Sequence, residues 1–227
     1  MNRRVLLLRH GRTAWNAERR FQGQADPPLD DIGRVQASEV AGLVAAFGPG
    51  VIVASDLMRA ALTAEPIGAL TGLPVTLDPR FRERSLGHWE GLTRDEVQVR
   101  YPAEFEDWVA GRDVRGRGAE TRDDVAKRAL AAFYELPDVE VAVVVTHSAT
   151  AMSLCSALIG LQQGRPALGP LANCHWSEMW TDGLGGRDRE EQVWRLRAHN
   201  VGAPGPVIPV ALSVVATPAD EAPDAEA

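Results

Sequence analysis

The chain has 227 residues, a length that suits one α/β domain, or one domain plus a tail, and buries a sizeable core. Its formal net charge of −7 offers no global positive field to a polyanion, which excludes general nucleic-acid binding while leaving room for a local basic pocket. No apolar stretch is long enough to span a bilayer, and two cysteines, Cys155 and Cys174, are too few for a disulfide framework.

The two cysteines read as buried thiols of a reducing, cytoplasmic compartment. Arg3-Arg4 followed by Val5 to Leu8 is too short an apolar run for an export signal and is stopped by Arg9-His10. Lys127 is the only lysine, so arginine carries nearly all the positive charge, which reads as compositional bias.

In chain order, Val5 to Leu8 lacks polar alternation, the pattern of a strand covered on both faces, and Gly11 lets the backbone turn sharply after Arg9-His10. Asn16 to Pro28 is a polar loop containing Phe21-Gln22-Gly23-Gln24. Leu29 to Phe47 predicts a helix, with Ile32, Val35, Ala37, Val40, Leu43, Val44 and Phe47 on its apolar face and Gly48-Pro49-Gly50 ending it. Val51 to Ala54 is a second buried strand. Ser55 or Asp56 then caps a helix that holds Arg59 in its first turn, runs past Leu62, Ile67 and Leu70 to Gly72, and is expected to kink at Pro66. Pro74 to Leu77 is a third strand candidate.

From Arg80 to Gly118 periodicity weakens and charge rises. Arg94 to Val109 predicts two short helices split at Tyr101-Pro102, a lid insertion spanning about 92–118. Thr121-Arg122-Asp123-Asp124 is a capping-box pattern ahead of a helix that ends near Pro137. Val139 to Val145 is the strongest strand, ending in Thr146-His147-Ser148, with Ser148 expected to cap a helix over Ala149 to Ile159. His175 to Trp180 and Gln192 to Arg197 read as antiparallel edge strands joined by Asp182 to Arg189. Residues 1–202 thus form one domain, and 203–227, rich in proline, alanine and acid, a tail without a core to join, although Val207 to Val215 is apolar.

One construction occurs three times: an apolar strand, a sharp stop, then a turn or helix start bearing His10, Arg59 or His147. Neighbouring parallel strands would bring Arg9, His10, Arg59 and His147 together at their carboxyl edge, where helix N-termini add exposed amides and positive potential. That is an anion site containing a nucleophile. His88, His175 and His199 have no carboxylate or cysteine partners at ligand spacing and read as surface or packing residues, so no metal is expected. Neither a glycine-rich phosphate loop nor a nucleophile-elbow serine occurs.

Taken together these residues resemble the histidine phosphatases, whose best-known branch is the cofactor-dependent phosphoglycerate mutases. The resemblance covers Arg4 to about Asn200. It rests on Arg9-His10-Gly11 with Thr13, Trp15 and Asn16; Gln22-Gly23; Ser55-Asp56-Leu57 with Arg59-Ala60 and Thr63-Ala64; Arg82-Glu83 with Gly87, Trp89, Glu90 and Gly91; and His147. It implies a three-layer α/β/α sandwich on a mostly parallel sheet. His10 would be the phosphorylated nucleophile, Arg9, Arg59 and His147 would hold the phosphoryl oxygens, and Glu83 would be the proton donor. Thr13, Asn16, Gln22, Gly23 and Ser148 would line the phosphate and substrate pocket. Histidine attacks phosphorus only when neutral, and the adjacent guanidinium groups are expected to lower the His10 pKa. Positioning and charge then carry the catalysis, and neither cofactor nor metal is implied.

Departures from the mutase pattern point to hydrolysis. Arg84-Ser85-Leu86-Gly87 places Leu86 where mutases carry a substrate-contacting tyrosine, Arg94 replaces a lysine, and no basic clamp is recognisable, with Arg112, Arg115 and Arg117 in the lid leaving one open. Gln22-Gly23-Gln24 with Asp26, Gly91-Leu92-Thr93 and Trp194-Arg195-Leu196 with Asn200 are similar to the glucosyl-3-phosphoglycerate phosphatases. The expectation is a cytoplasmic phosphomonoesterase acting on small phosphorylated metabolites, with a homodimer left open; a mutase and a catalytically silent binding module are the alternatives. For Arg12, an entrance residue favouring anionic substrates and a solvated side chain are equal expectations.

Overall fold

The computed structural model describes residues 2–114, 116–163, 167–183 and 191–202; most of the turn predicted after Asp182, Arg115, and the 203–227 tail with its apolar stretch lie outside the described residues. Six strands form one sheet: β1 (Arg3–Arg9), β2 (Val51–Ala54), β3 (Val75–Leu77), β4 (Val141–Thr146), β5 (Trp176–Thr181) and β6 (Arg195–Val201), in the order β3-β2-β4-β1-β5-β6. The pairs β3/β2, β2/β4 and β4/β1 are parallel, and β5 and β6 are added antiparallel.

The unalternating strands are buried on both faces. Leu6, Leu8, Ile52, Ala54, Val143 and Val145 pack on one side beneath α2 (Asp31–Ala45) and α3 (Met58–Thr71). Val5, Leu7, Val53, Ala142 and Val144 pack on the other beneath α6 (Arg122–Tyr134) and α7 (Ser148–Leu158). Each fully buried leucine or valine contributes roughly 1.5–3 kcal/mol, so burial of the two sheet faces, more than helix propensity, holds the three layers together. The short α1 (Ala14–Ala17) follows β1, and α4 (Arg94–Arg100) and α5 (Pro102–Val109) meet at Tyr101 around a satellite core of Trp89, Val97, Phe105 and Val114.

Several expectations change in detail. The face of α2 turned to the core is Gly33, Ala37, Val40, Ala41 and Val44, whereas Ile32, Val35 and Leu43 are exposed. The helix is phased by its first turn: Asp30 caps it by accepting from the Gly33 amide (2.7 Å), and a Cβ on Gly33 would overlap the Arg12 carbonyl oxygen. Close backbone approach there, rather than the number of apolar residues, selects the buried face. Pro66 leaves α3 one continuous element, and Leu70 is exposed. The missing N–H lies on the partly exposed side of the helix, where the freed carbonyl can be hydrated. The last strand begins at Arg195 rather than Gln192, because Trp194 turns inward against Phe133 (ring centroids 4.8 Å).

Candidate active site

The strand order β2-β4-β1 makes the three motif-bearing strands adjacent, so their carboxyl ends deliver Arg59, His147 and Arg9-His10 to one edge. His10 is 97% buried, with its ring centroid 5.0 Å from that of His147. The His10 Nδ1 lies 2.7 Å from the Gly11 carbonyl. A carbonyl only accepts, so Nδ1 carries the hydrogen and Nε2 carries the lone pair. The turn that fixes this geometry is tied to α3, because the Gly11 amide donates to Thr63 Oγ1 (3.0 Å), whose hydroxyl donates to the Arg59 carbonyl (2.7 Å).

Both imidazoles are held neutral. Burial pushes the His10 pKa well below its ordinary value, and the Arg59 and Arg9 charges push it further. The sequence anticipated the arginines; the larger cause is loss of water. Burial likewise lowers His147, with Arg59 adding to it. His147 Nε2 is 2.9 Å from Ser55 Oγ, and Nδ1 is buried without a partner. Arg59 is fully buried; it donates to the carbonyls of Ala25 (2.7 Å) and Gly23 (2.8 Å), while its Nε is unpaired. Arg9 donates through Nη1 to the Leu171 carbonyl, and its Nε is also buried and unpaired. Three unpaired polar atoms of His147, Arg59 and Arg9 thus belong to residues around one neutral histidine, as an oxyanion site requires.

Stability at mildly acidic pH reports this burial. Unfolded histidines bind protons as the pH falls below about 6.5, while folded His10 and His147 do not until well below it. Stability is therefore fully retained above that value and lost as the pH falls toward the folded pKa values, by up to about 2.7 kcal/mol per pH unit for the pair. Urea midpoints at pH 7 and 5.5 read the slope, and His147→Asn is expected to remove about half of it. An unaltered slope would place the acid sensitivity elsewhere.

Glu83 takes a role that local sequence did not announce. Its Oε1 accepts from the amides of Arg84 (2.8 Å) and Thr150 (3.2 Å), and its Oε2 accepts from the Ala149 amide (3.2 Å). It caps α7 from a distant segment. Ser148, expected as the cap, is the first helical residue, and His147 occupies the cap position without a side-chain bond to the helix amides. The Ser148 hydroxyl instead accepts from the Leu171 amide (3.1 Å). The neighbouring arginines are engaged elsewhere, Arg82 with Asp56 and Arg84 with Asp113. Arg128 holds the segment by donating to the carbonyls of Arg80, Arg82 and Glu83. At α3 the pattern repeats: neither Ser55 nor Asp56 caps it, and Asp26 accepts from the Met58 amide (2.7 Å).

Thr13 and Asn16 form a capping box over α1. Asn16 Oδ1 accepts from the Thr13 amide and hydroxyl and from Asn173 Nδ2, which orients its amide. Asn173, unremarked in the sequence, also donates to the His10 carbonyl (3.0 Å). Gln22 is buried with its Oε1 unpaired, and Gly23 adopts φ +51° with the Glu90 carboxylate where a Cβ would sit. Glu90 pins this loop by accepting from the amides of Gln24 (3.0 Å), Ala25 (3.1 Å) and Leu86 (2.9 Å). Arg12 pairs with Asp30 (2.8 Å), tying the His10 turn to the cap of α2. In the segment beyond Gly91, Arg112 pairs with Asp107, and the Arg117 guanidinium is buried over the Trp89 ring without a hydrogen-bond partner among the described residues.

Among the described residues no group of three or more His, Cys, Asp or Glu could hold a metal, and no helix is long and apolar enough to cross a membrane. Residues 5–197 match the family described as histidine phosphatase superfamily (branch 1). The chain is 37% identical over 214 residues to the glucosyl-3-phosphoglycerate phosphatase of Mycobacterium tuberculosis, covering 88% of this chain and 96% of that protein. It is 35% identical over 195 residues to the Citrobacter koseri protein named "Probable phosphoglycerate mutase GpmB", covering 84% and 86%. A solved structure of a mycobacterial glucosyl-3-phosphoglycerate phosphatase superposes with a TM-score of 0.80 at 35% identity, covering 88% of this chain and 100% of that one.

Proposed function

The chain belongs to the histidine phosphatase superfamily, and on that premise we propose that it is a metal-independent phosphomonoesterase acting through a phosphohistidine on small sugar or glycerate phosphates. The observation that carries the reading is the neutral His10, with its hydrogen on Nδ1 and its lone pair on Nε2, beside two buried guanidinium groups. In this reading the phosphoryl oxygens lie against Arg9, Arg59 and His147. Nε2 attacks phosphorus, the P–O ester bond breaks, and Glu83 delivers a proton to the departing alkoxide. The Glu83 carboxylate then takes a proton from water as that water attacks phosphorus. The P–N bond breaks, and phosphate leaves with Glu83 reprotonated.

The buried free thiols of Cys155 and Cys174 fit a reducing, cytoplasmic setting. The similarity to a glucosyl-3-phosphoglycerate phosphatase over most of both chains favours an acidic sugar phosphate and hydrolysis over transfer. Residues 1–202 serve as one catalytic unit, with 92–118 as a lid over the site. A panel of phosphorylated metabolites, assayed in EDTA with and without a bisphosphoglycerate primer, tests this. Phosphate release that ignores both additions is expected. Primer-dependent interconversion of phosphoglycerates that outpaces release would make the protein a mutase, and ligand binding without turnover would make it a silent module.

A further inference from the structure

Residues 169–174 touch the site from beneath. The Leu171 carbonyl accepts from Arg9, the Asn173 side chain donates to the His10 carbonyl (3.0 Å), and the Cys174 amide donates to the Arg9 carbonyl (3.1 Å). The other side of this segment is held by the end of β6. Asn200 Oδ1 accepts from the Ala172 amide (2.8 Å), and His199 Nε2 lies 2.8 Å from the Gly169 carbonyl. Because that carbonyl only accepts, His199 Nε2 carries the hydrogen, and Nδ1 accepts from the hydroxyl of the fully buried Ser177 (2.8 Å). Asn200 stands at φ +57°, a left-handed conformation that asparagine tolerates, and Gly202 leaves space that the His175 ring fills.

We propose that His199 and Asn200, on the edge strand, are positioning residues of the phosphate site: they clamp residues 169–174, whose Leu171 carbonyl in turn fixes the Arg9 guanidinium. The proposal rests on Arg9 and His10 being the phosphate-binding pair. Leu171 and Cys174 anchor the segment in the core, so His199 and Asn200 set its final position, and misplacement of about 1 Å costs on the order of 100-fold in rate. A clamp working through Arg9 makes a specific claim: its effect disappears when Arg9 can no longer use it.

The test is a cycle of Asn200→Gly with Arg9→Lys, read by kcat/KM on p-nitrophenyl phosphate and by calorimetric Kd for inorganic phosphate. Asn200→Gly removes the acceptor while suiting the left-handed backbone. It is expected to lower kcat/KM and weaken phosphate binding about tenfold with Arg9 present, and less than about twofold in the Arg9→Lys background. The melting temperature should stay within about 2 °C. Asn200→Asp, which keeps the acceptor, should restore most of the loss. His199→Phe, filling the same volume without the hydrogen bond to Gly169, is the second arm and should show the same dependence on Arg9. Equal losses in both backgrounds, or losses that follow the melting temperature, overturn the clamp. If the wild-type protein neither hydrolyses the ester nor binds phosphate, the phosphate-site reading falls and the clamp with it. If it binds phosphate and Asn200→Gly binds it equally, the clamp alone falls.

Discussion

His10→Ala is expected to reduce hydrolysis of p-nitrophenyl phosphate by about 10⁴-fold or more, because in the proposed mechanism it removes the atom that would form the covalent intermediate and not merely a contact to substrate. Folding should survive. A buried imidazole forced to remain neutral contributes little stability near pH 7, and its Nδ1 hydrogen bond reaches only the adjacent Gly11 carbonyl. Rapid acid-labile, alkali-stable labelling of the wild-type protein by a radioactive phosphomonoester, absent from His10→Ala, separates nucleophile from binding residue. His147→Ala should still label, more slowly, since the structure gives His147 an unpaired Nδ1 beside the site and a side-chain bond to Ser55. Retained turnover in His10→Ala would remove His10 from the chemistry.

The strand ends were legible because a parallel sheet imposes a simple rule: unalternating strands are covered on both faces, and their carboxyl ends open together. Leu6 to Leu8, Val51 to Ala54 and Val141 to Val145 obey it, and their adjacency follows from the register of Arg9 with Thr146 and Ala54 with Val145. What local pattern could not show was anything decided by contacts between distant loops. Neighbours in sequence point to Ser55 or Asp56 and to Ser148 as the caps of α3 and α7, yet Asp26 and Glu83 supply them from other segments. Glu90 and Arg128 look like surface charges until the amides and carbonyls they satisfy are placed around them. Asn173 follows no strand-end pattern, and its only local signal was lying just before the last pair of strands. The exposed Ile32 and Val35 illustrate a related limit: periodicity locates a helix, but close backbone contact at Gly33 sets which stripe turns inward.

Arg59→Met should cost about 10³-fold or more in kcat/KM while changing stability by no more than about 3 kcal/mol in either direction. The two halves of that expectation come from the same burial. Loss of water lowers the Arg59 pKa to about 10 against an ordinary 12.5, so keeping the guanidinium charged in the folded state costs about 3 kcal/mol. The penalty is fully present at pH 7, below both values, and fades only as the pH rises from about 10 toward 12.5. The Glu83 carboxylate opposes it most, and the acid nearest Arg59, Asp26, is 4.0 Å away and exposed; together they do not offset it. Methionine removes the penalty and keeps much of the side-chain volume, but leaves the Gly23 and Ala25 carbonyls without their donor, at about 1–3 kcal/mol each. These terms largely offset one another, whereas in the proposed site the loss of a fixed cation from the phosphoryl oxygens has no compensation. Urea unfolding with and without inorganic phosphate reads both: phosphate should stabilise the wild-type protein and leave Arg59→Met unmoved. Were the variant instead destabilised by more than about 4 kcal/mol, with activity falling only in proportion to unfolding, Arg59 would be a structural clasp for the Gly23 to Ala25 loop. On the proposed function, the cost of keeping this cation buried is met when a phosphate anion arrives beside it.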